Sequence, residues 1–293
     1  MTAPVETLAL PTARGRFVAL AAGERGRPAV LVLHGFPDAP TTLRPLLAAL
    51  AARGLRAIAP WMRGYAPSPR GGPFDAETLA DDAIACADVA SPGAPVFLLG
   101  HDWGAVATYV ACARHRARIA AAVTLAVPHP IAFLRGARAA QLARSWYMLF
   151  LQLPGAAAAA RVADFALIDR LWRTWSPGYQ LPDDERGALH ATLAASWPAP
   201  AQYYRALAWP PHEAIARVQR SAAARIDVPL LYLHGADDGC VGVEVGRDAA
   251  RYFAGAYRRD VIEGAGHFVT AERPDVVAAR AAAWFTTHAA AVR

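Results

Sequence analysis

Short apolar segments of strand type alternate with longer segments of helical periodicity along most of this chain. Strands that are separated by helices can pair in parallel, with the helices covering both faces of the sheet. We therefore predict an α/β fold with a mostly parallel central sheet flanked by helices. The predicted strands are 29–33, 55–59, 96–99, 119–127, 228–233 and 258–262, and the predicted helices are 41–53, 75–89, 104–114, 243–253 and 274–288.

Residues from about 129 to 225 interrupt this alternation. They contain helical patterns and several prolines but no convincing strand, and they carry most of the tryptophans, namely Trp146, Trp172, Trp175, Trp197 and Trp209. We interpret this stretch as a helical insertion between two strands of the sheet. The prediction is an α/β core made of residues 1–128 and 226–293, interrupted by the helical insertion of residues 129–225.

Composition argues against several classes of protein. Of the 293 residues, 55% are hydrophobic and 18% are charged, which is enough apolar material for a substantial core. The formal net charge of +6 comes from arginine alone, and no basic run is interleaved with aromatic residues, so we expect no nucleic-acid binding. Three cysteines, Cys86, Cys112 and Cys240, are too few for a disulfide framework.

The start of the chain lacks a basic segment followed by an apolar stretch, so no signal peptide is visible. No segment has the length and apolar continuity of a membrane-spanning helix. We therefore expect a cytoplasmic protein of the size of an enzyme, without a membrane partner. The sequence is also compatible with a homodimer.

The pentapeptide Gly-His-Asp-Trp-Gly at residues 100–104 follows a predicted strand and precedes a predicted helix. Its two glycines permit a sharp turn that lifts the central side chain above the edge of the sheet. That central residue is Asp102, whose carboxylate can attack carbon and form an ester with the protein. Aspartate also favours the first position before a helix, so the pentapeptide alone leaves a capping role open.

Two further polar segments also follow predicted strands. Asp237 and Asp238 come after strand 228–233, and His267 lies in a glycine-rich loop after strand 258–262. No Asp or Glu occurs between Asp102 and Asp164, so the loop after strand 119–127 cannot provide an acid. The chain order of nucleophile, acid and histidine is the one expected at the carboxyl edge of this type of sheet.

A fourth segment, His34-Gly35-Phe36-Pro37, follows the strand 29–33. A turn of this kind can hold the backbone amide of Phe36 pointing inward. Together with the amide of Trp103, it could stabilise a negatively charged oxygen. An ordinary turn at the end of a strand is the alternative interpretation.

These segments resemble the α/β-hydrolase family and, within it, the epoxide hydrolases. The resemblance rests on His-Gly-Phe-Pro-Asp at 34–38, Met-Arg-Gly-Tyr at 62–65 and Gly-His-Asp-Trp-Gly at 100–104, and it extends to the loops that carry Asp238 and His267. It implies an α/β-hydrolase fold with a helical cap (lid) over the carboxyl edge of the sheet. Family spacing assigns the acid to Asp238 rather than Asp237.

The resemblance also implies two tyrosines that hydrogen-bond an epoxide oxygen. One family pattern, a tyrosine five residues before Gln-x-Pro-Gly, matches Tyr147. The other, Tyr-Arg on a later helix, matches Tyr204, with Tyr203 as a neighbouring alternative. Ala206 stands where the family usually has asparagine, which weakens the assignment of Tyr204.

The implied reaction opens an apolar epoxide with water to a vicinal diol and needs no cofactor and no metal. Asp102 forms an alkyl ester, and His267, oriented by Asp238, activates the water that hydrolyses it. The substrate-binding residues we predict are Phe36, Pro37, Trp103, Trp146 and Phe150. The nearest alternative is a haloalkane dehalogenase that uses the same aspartate, whereas a serine esterase is disfavoured because no serine occupies such a turn.

Overall fold

The computed structural model describes residues 4–289, apart from the side chains of Ala222 and Ala223. Its centre is an eight-stranded sheet in the order β1-β2-β4-β3-β5-β6-β7-β8. β1 pairs antiparallel with β2 and β2 with β4, whereas every other pair is parallel. The prediction of a mostly parallel sheet is therefore confirmed. The strands are β1 (Val5–Thr12), β2 (Gly15–Ala22), β3 (Ala29–Leu33), β4 (Arg56–Pro60), β5 (Val96–His101), β6 (Ile119–Leu125), β7 (Leu230–Gly235) and β8 (Tyr257–Ile262).

One set of helices packs on the sheet, and a second set forms the segment between β6 and β7. The core helices are α1 (Arg44–Ala51), α2 (Ala76–Ala90), α3 (Trp103–Arg114), α12 (Val269–Glu272) and α13 (Pro274–His288). Between β6 and β7 lie α4 (Pro130–Gly136), α5 (Ala139–Arg144), α6 (Trp146–Phe150), α7 (Ala156–Ala160), α8 (Val162–Trp175), α9 (Asp183–Ser196), α10 (Gln202–Ala208) and α11 (Pro211–Ala223). Within residues 4–289, no helix combines the length and the apolar character needed to cross a membrane.

The central strands are apolar because both of their faces are covered. Every residue of β3, β5 and β6 is buried, and α1 packs against α13 while α2 packs against α3. Continuous hydrophobic runs, rather than alternating ones, are what a doubly covered parallel strand requires. The carboxyl ends of these rigid strands provide fixed positions for the loops that follow them.

Two parts of the fold differ from the sequence prediction. The antiparallel hairpin of β1 and β2 was not predicted. The helix predicted over 243–253 is wrong, because the segment forms successive turns and a 3-10 helix at Ala249–Tyr252. Glycine at position 246 lowers helix propensity there, and a side chain at Gly246 would collide with Pro128 and Tyr232. The carbonyl of Val243 accepts a hydrogen bond from the Arg259 guanidinium instead of from a helix amide.

Candidate active site

Asp102 occupies a strained turn between β5 and α3. Its backbone φ is +50°, a conformation that non-glycine residues rarely adopt. A side chain at Gly100 would collide with the carbonyl of Gly104, and one at Gly104 with the carbonyl of Leu33. The flanking glycines are therefore needed because α3 starts in direct contact with the ends of β5 and β3.

The Asp102 carboxylate is held by one amide and faces one imidazole. The backbone N–H of Phe36 donates to Asp102 Oδ1 at 2.8 Å, and Asp102 Oδ2 lies 3.7 Å from His267 Nε2. A side chain at Gly35 would overlap the Asp102 carboxylate. Trp103 is the first residue of α3, so its amide has no intrahelical acceptor and is available to an anion, as amides at the start of a helix are. The side chain of Asp102 does not cap α3.

The turn that presents the Phe36 amide is supported by the segment at 62–65. His34 Nε2 accepts a hydrogen bond from the Met62 amide at 3.1 Å, and the Tyr65 hydroxyl donates to the Gly35 carbonyl at 3.3 Å. Burial lowers the pKa of His34 to about 4, so the ring is a neutral acceptor at pH 7. The Met-Arg-Gly-Tyr segment thus fixes the turn through hydrogen bonds.

Asp238 and His267 form a buried pair behind Asp102. His267 Nδ1 donates to Asp238 Oδ2 at 3.0 Å, and the amides of Cys240 and Val241 donate to Asp238 Oδ1 at 2.7 and 2.8 Å. Asp238 is buried, whereas Asp237 is exposed to solvent. The geometry therefore favours Asp238 over Asp237 as the partner of His267.

The electrostatics of this pair favour an ionised aspartate and a charged imidazole. Burial acts to lower the pKa of His267, but the carboxylates of Asp238 and Asp102 outweigh it and raise the pKa to about 10. Burial acts to raise the pKa of Asp238, and the His267 imidazole together with the hydrogen bonds holds it below its ordinary value. The free site is accordingly an imidazolium between two carboxylates.

The Trp175 carbonyl and the His234 side chain support this pair, and neither of them was assigned this role from the sequence. The carbonyl of Trp175, at the end of α8, accepts from the amides of Gly239 and His267, each at 3.0 Å. His234 Nε2 lies next to the Val241 carbonyl at 3.0 Å and its Nδ1 next to the Tyr232 hydroxyl. A buried histidine at the end of β7, immediately before the acidic loop, is a sequence signal that could have indicated this role.

The tyrosines of the helical insertion reach the same site. Tyr147 and Tyr204 are buried, and their rings lie 5.5 Å apart in an edge-to-face arrangement. The Tyr147 hydroxyl lies 3.4 Å from Cys240 Sγ, and that of Tyr204 has no hydrogen-bond partner among the described residues. Burial raises the pKa of both phenols well above 10, so both remain neutral donors.

Tyr203 differs from its neighbour in one decisive contact. Its hydroxyl donates to the backbone carbonyl of Arg63 in the core, so its proton is already committed. Tyr203 also packs edge-on against Tyr65 and Trp103. The free hydroxyl of Tyr204 makes it the better candidate of the two for contact with a ligand.

A cavity of about 330 Å³ brings Asp102 together with the tyrosines of the helical insertion. Its walls are mostly apolar, as in small-molecule sites, and its charged residues are Asp102, Asp75 and Arg217. Asp75 is occupied as the N-cap of α2, where it accepts the Thr78 amide at 2.9 Å. Other lining residues from the core and the helical insertion are Trp103, Val106, Val110, Val127, Ile131, Phe133, Leu134, Tyr147, Met148, Tyr203, Tyr204, Leu207, Val218 and Val241.

The residues predicted to bind substrate are placed differently from one another. Among the described residues that line the cavity, Trp103 is present and Phe36, Pro37, Trp146 and Phe150 are not. Phe36 packs edge-to-face with the Tyr204 ring, and the Pro37 carbonyl accepts a hydrogen bond from the Trp172 indole at 2.8 Å. Trp146 is 41% exposed and packs on Phe150. A role for these four in substrate binding stays a prediction.

Comparison with known proteins gives consistent results. A model described as the alpha/beta hydrolase family matches residues 30–280. Epoxide hydrolase A of Mycobacterium tuberculosis is 30% identical to this chain, with coverage of 95% of this chain and 96% of the relative. Epoxide hydrolase 4 of Homo sapiens is 27% identical, with coverage of 89% and 73%. The crystal structure of epoxide hydrolase A from Mycobacterium thermoresistibile superposes with a TM-score of 0.81 at 26% identity, covering 97% of this chain and 98% of that one.

Proposed function

Because the chain belongs to the alpha/beta hydrolase family and is a hydrolase, we propose that it opens an epoxide to a vicinal diol through a covalent Asp102 ester. The observation that carries this proposal is the position of Asp102. One carboxylate oxygen binds the Phe36 amide, the other faces His267, and the carboxylate shares a cavity with two neutral tyrosines. The names of the relatives support the same reaction.

In the first step Asp102 attacks a ring carbon. Oδ2 forms the new C–O bond while the C–O bond of the ring breaks, and the ring oxygen becomes a hydroxyl. An alkoxide leaves poorly unless it is protonated as it forms, and Tyr147 and Tyr204 supply hydrogen bonds and a proton to it. The absence of a partner for the Tyr204 hydroxyl among the described residues means that no protein hydrogen bond need be broken for this contact.

In the second step water attacks the carbonyl carbon of the ester. His267 takes a proton from this water, and Asp238 orients the imidazole and stabilises its charge. The Phe36 amide already contacts Asp102 Oδ1, which is the oxygen that becomes negatively charged, and the Trp103 amide is the second donor. The ester then collapses: the departing oxygen takes up one proton of the water, the other proton remains on His267, and the diol leaves with one original Asp102 oxygen.

The two steps are coupled through charge. Before attack, the Asp238 and Asp102 carboxylates keep the pKa of His267 at about 10, so the imidazole is protonated. Ester formation removes the charge of Asp102 and lowers the pKa of His267. The imidazole can then give up the proton that restores the tyrosine hydroxyl, and it becomes the base that the second step requires.

The helical insertion completes the proposal as a cap. We assign residues 129–225 to this cap, which supplies the two tyrosines and the apolar walls of the cavity. Apolar epoxides match such walls better than charged ones do. The proposed mechanism uses no metal and no cofactor.

A panel of styrene-type, aliphatic and lipid epoxides, together with bromoalkanes, tests the proposal. We expect diol formation by the purified protein and none by the Asp102→Ala variant at the same concentration. Haloalkane dehalogenation is the second candidate, because Trp103 lines the cavity beside Asp102 and can contact a leaving halide. Release of bromide without any diol would favour that candidate and contradict the first.

A further inference from the structure

Exposed apolar side chains are concentrated in the helical insertion. Of the large hydrophobic side chains that are exposed among the described residues, all but Val276 belong to it. Single exposed apolar side chains are normal on protein surfaces, whereas a group of them around one opening is typical of an interaction surface. The exposed set in the insertion is Leu134, Leu142, Trp146, Leu149, Leu153, Val162, Leu207, Trp209, Ile215 and Val218.

Part of this set surrounds the cavity that contains Asp102. Leu134, Leu207 and Val218 line that cavity and are also exposed to solvent, so they lie where it opens. Ile215 lies one helical turn before Val218 on α11, and Trp209 lies two residues after Leu207. We call these five residues, Leu134, Leu207, Trp209, Ile215 and Val218, the mouth patch.

Helix α11 is amphipathic, but its apolar side has no cover. Ile215 and Val218 are 59% and 44% exposed, and no described side chain of this helix is buried. Its polar side is engaged: Arg220 binds Glu77 in the core through two nitrogens, and Arg217 binds Glu213 and the Ala206 carbonyl. The helix therefore packs beside α4 and α10 and reaches the core through Arg220, while Ile215 and Val218 remain exposed.

Positive charge accompanies the mouth patch. Residues 129–225 contain eleven arginines and six acidic residues, an excess of five positive charges of the six in the whole chain. Arg135 follows Leu134 directly, and Arg205 precedes Leu207 on α10. Both are exposed, and neither forms an ion pair with a described residue. Apolar side chains beside arginines are the composition of a surface that binds an anionic lipid interface.

We propose that the mouth patch docks on an anionic lipid bilayer, so that the cavity opens toward the membrane and takes apolar epoxides from it. This proposal departs from the sequence-based expectation that the protein has no membrane partner. The substrate part of this proposal rests on the proposed function, whereas the docking does not. A second copy of the chain is a poorer occupant, because a stable dimer across the mouth patch would cover the opening of the cavity. The arginines complement anionic headgroups, and the apolar side chains enter the interface between headgroups and acyl chains.

Sedimentation with lipid vesicles, in the absence of any epoxide, tests the docking. The protein is expected to bind vesicles of mixed phosphatidylcholine and phosphatidylglycerol and to bind phosphatidylcholine alone much less. The double variant Trp209→Ser/Ile215→Ser should lower the partition coefficient at least about tenfold, since removing one large apolar side chain is worth about a factor of ten. Arg205→Gln should lower it by roughly fivefold.

Matched controls separate docking from other effects. Val276→Ser and Arg16→Gln change exposed residues outside the helical insertion and should bind vesicles as the unchanged protein does. Trp209 and Ile215 do not line the cavity, so their variants should keep full activity on a water-soluble epoxide, which checks their folding. Equal vesicle binding by the mouth-patch variants and controls would overturn the proposal. So would a loss of dimer mass in light scattering caused by the mouth-patch variants alone.

Discussion

The site has two halves that are built differently. On the α/β core, the Asp102 and Asp238 carboxylates and the His267 imidazole are tied to each other or to backbone amides within a few ångströms. On the helical insertion, Tyr204 offers a hydroxyl without a hydrogen-bond partner among the described residues, and the Tyr147 hydroxyl has only the Cys240 thiol as a partner there. In the core half the charged groups already have hydrogen-bond partners in the protein, whereas in the insertion half the Tyr204 hydroxyl is still able to bind a ligand.

This difference matches the demands of the two halves of the proposed reaction. Charge that develops on a protein oxygen is best stabilised by donors fixed in advance, as the Phe36 amide is. A group that must meet a substrate oxygen gains most if it has no stronger protein partner to give up, as at Tyr204. In the proposed reaction, the core half therefore stabilises the Asp102 carboxylate, and the insertion half binds the substrate oxygen.

Removal of the Asp102 carboxylate should have the largest effect. We expect Asp102→Ala to lower kcat about 10⁴-fold or more, because no ester can form. Steady-state diol formation measures this. Asp237→Ala is the matched control, since that carboxylate is exposed on the neighbouring loop and should leave kcat unchanged. Comparable losses in both variants would contradict the assignment of roles in the core half.

The two adjacent tyrosines give the sharpest test of the insertion half. Tyr204→Phe should lower kcat about 10²-fold, because a donor to the ring oxygen is lost. Tyr203→Phe should leave kcat nearly unchanged and lower the free energy of unfolding by about 1 kcal/mol, because its hydroxyl bonds the Arg63 carbonyl. Kinetics and urea unfolding of both variants provide the measurement. The reverse pattern would transfer the role to Tyr203.

The pH dependence of ester hydrolysis should show how the loss of the Asp102 charge changes the pKa of His267. Below the pKa of His267 in the ester, the imidazole is protonated and cannot act as base, so ester hydrolysis should slow about tenfold per pH unit. That pKa should lie below the value of about 10 in the free site, because the Asp102 charge is gone. Stopped-flow tryptophan fluorescence follows the decay of the ester. A decay that does not change with pH would exclude His267 as the base.

Removing the contact between Cys240 of the core half and Tyr147 of the insertion half should have the smallest effect on the reaction. Cys240→Ala removes the thiol 3.4 Å from the Tyr147 hydroxyl and leaves the backbone amide on Asp238 intact. We expect ester formation to slow by about two- to fivefold, as for the loss of one weak hydrogen bond, with hydrolysis unchanged. Cys86→Ala, a buried cysteine of α2, is the control for stability alone. A larger effect on ester hydrolysis than on ester formation would show that Cys240 acts through Asp238 rather than through Tyr147.

The core of the fold was predictable because strand patterns and glycine turns act locally. The strands that carry the 34–38, 100–104 and 237–238 segments were all predicted, since buried parallel strands are uniformly apolar. The helix predicted at 243–253 fails because a tertiary contact competes for it: Gly246 packs against Pro128, and Arg259 takes the Val243 carbonyl. Local periodicity contains no information about such partners.

The helical insertion was less predictable for a related reason. Tyr203 and Tyr204 have the same chemistry and neighbouring positions, and only the distant carbonyl of Arg63 distinguishes them. Trp146 is a residue type typical of pocket walls, but it does not line the cavity and is exposed. Which side of a short helix faces the core depends on how the helices of the insertion pack together, and their sequence patterns alone do not determine that packing.

The origin of the product oxygen tests the covalent role of Asp102 most directly. In a single turnover with enzyme in excess over epoxide in ¹⁸O-labelled water, the account predicts an unlabelled diol and one ¹⁸O atom in the Asp102 carboxylate, found by peptide mass spectrometry. A diol that carries the solvent label after the first turnover, with Asp102 unlabelled, would show direct attack by water and contradict the account.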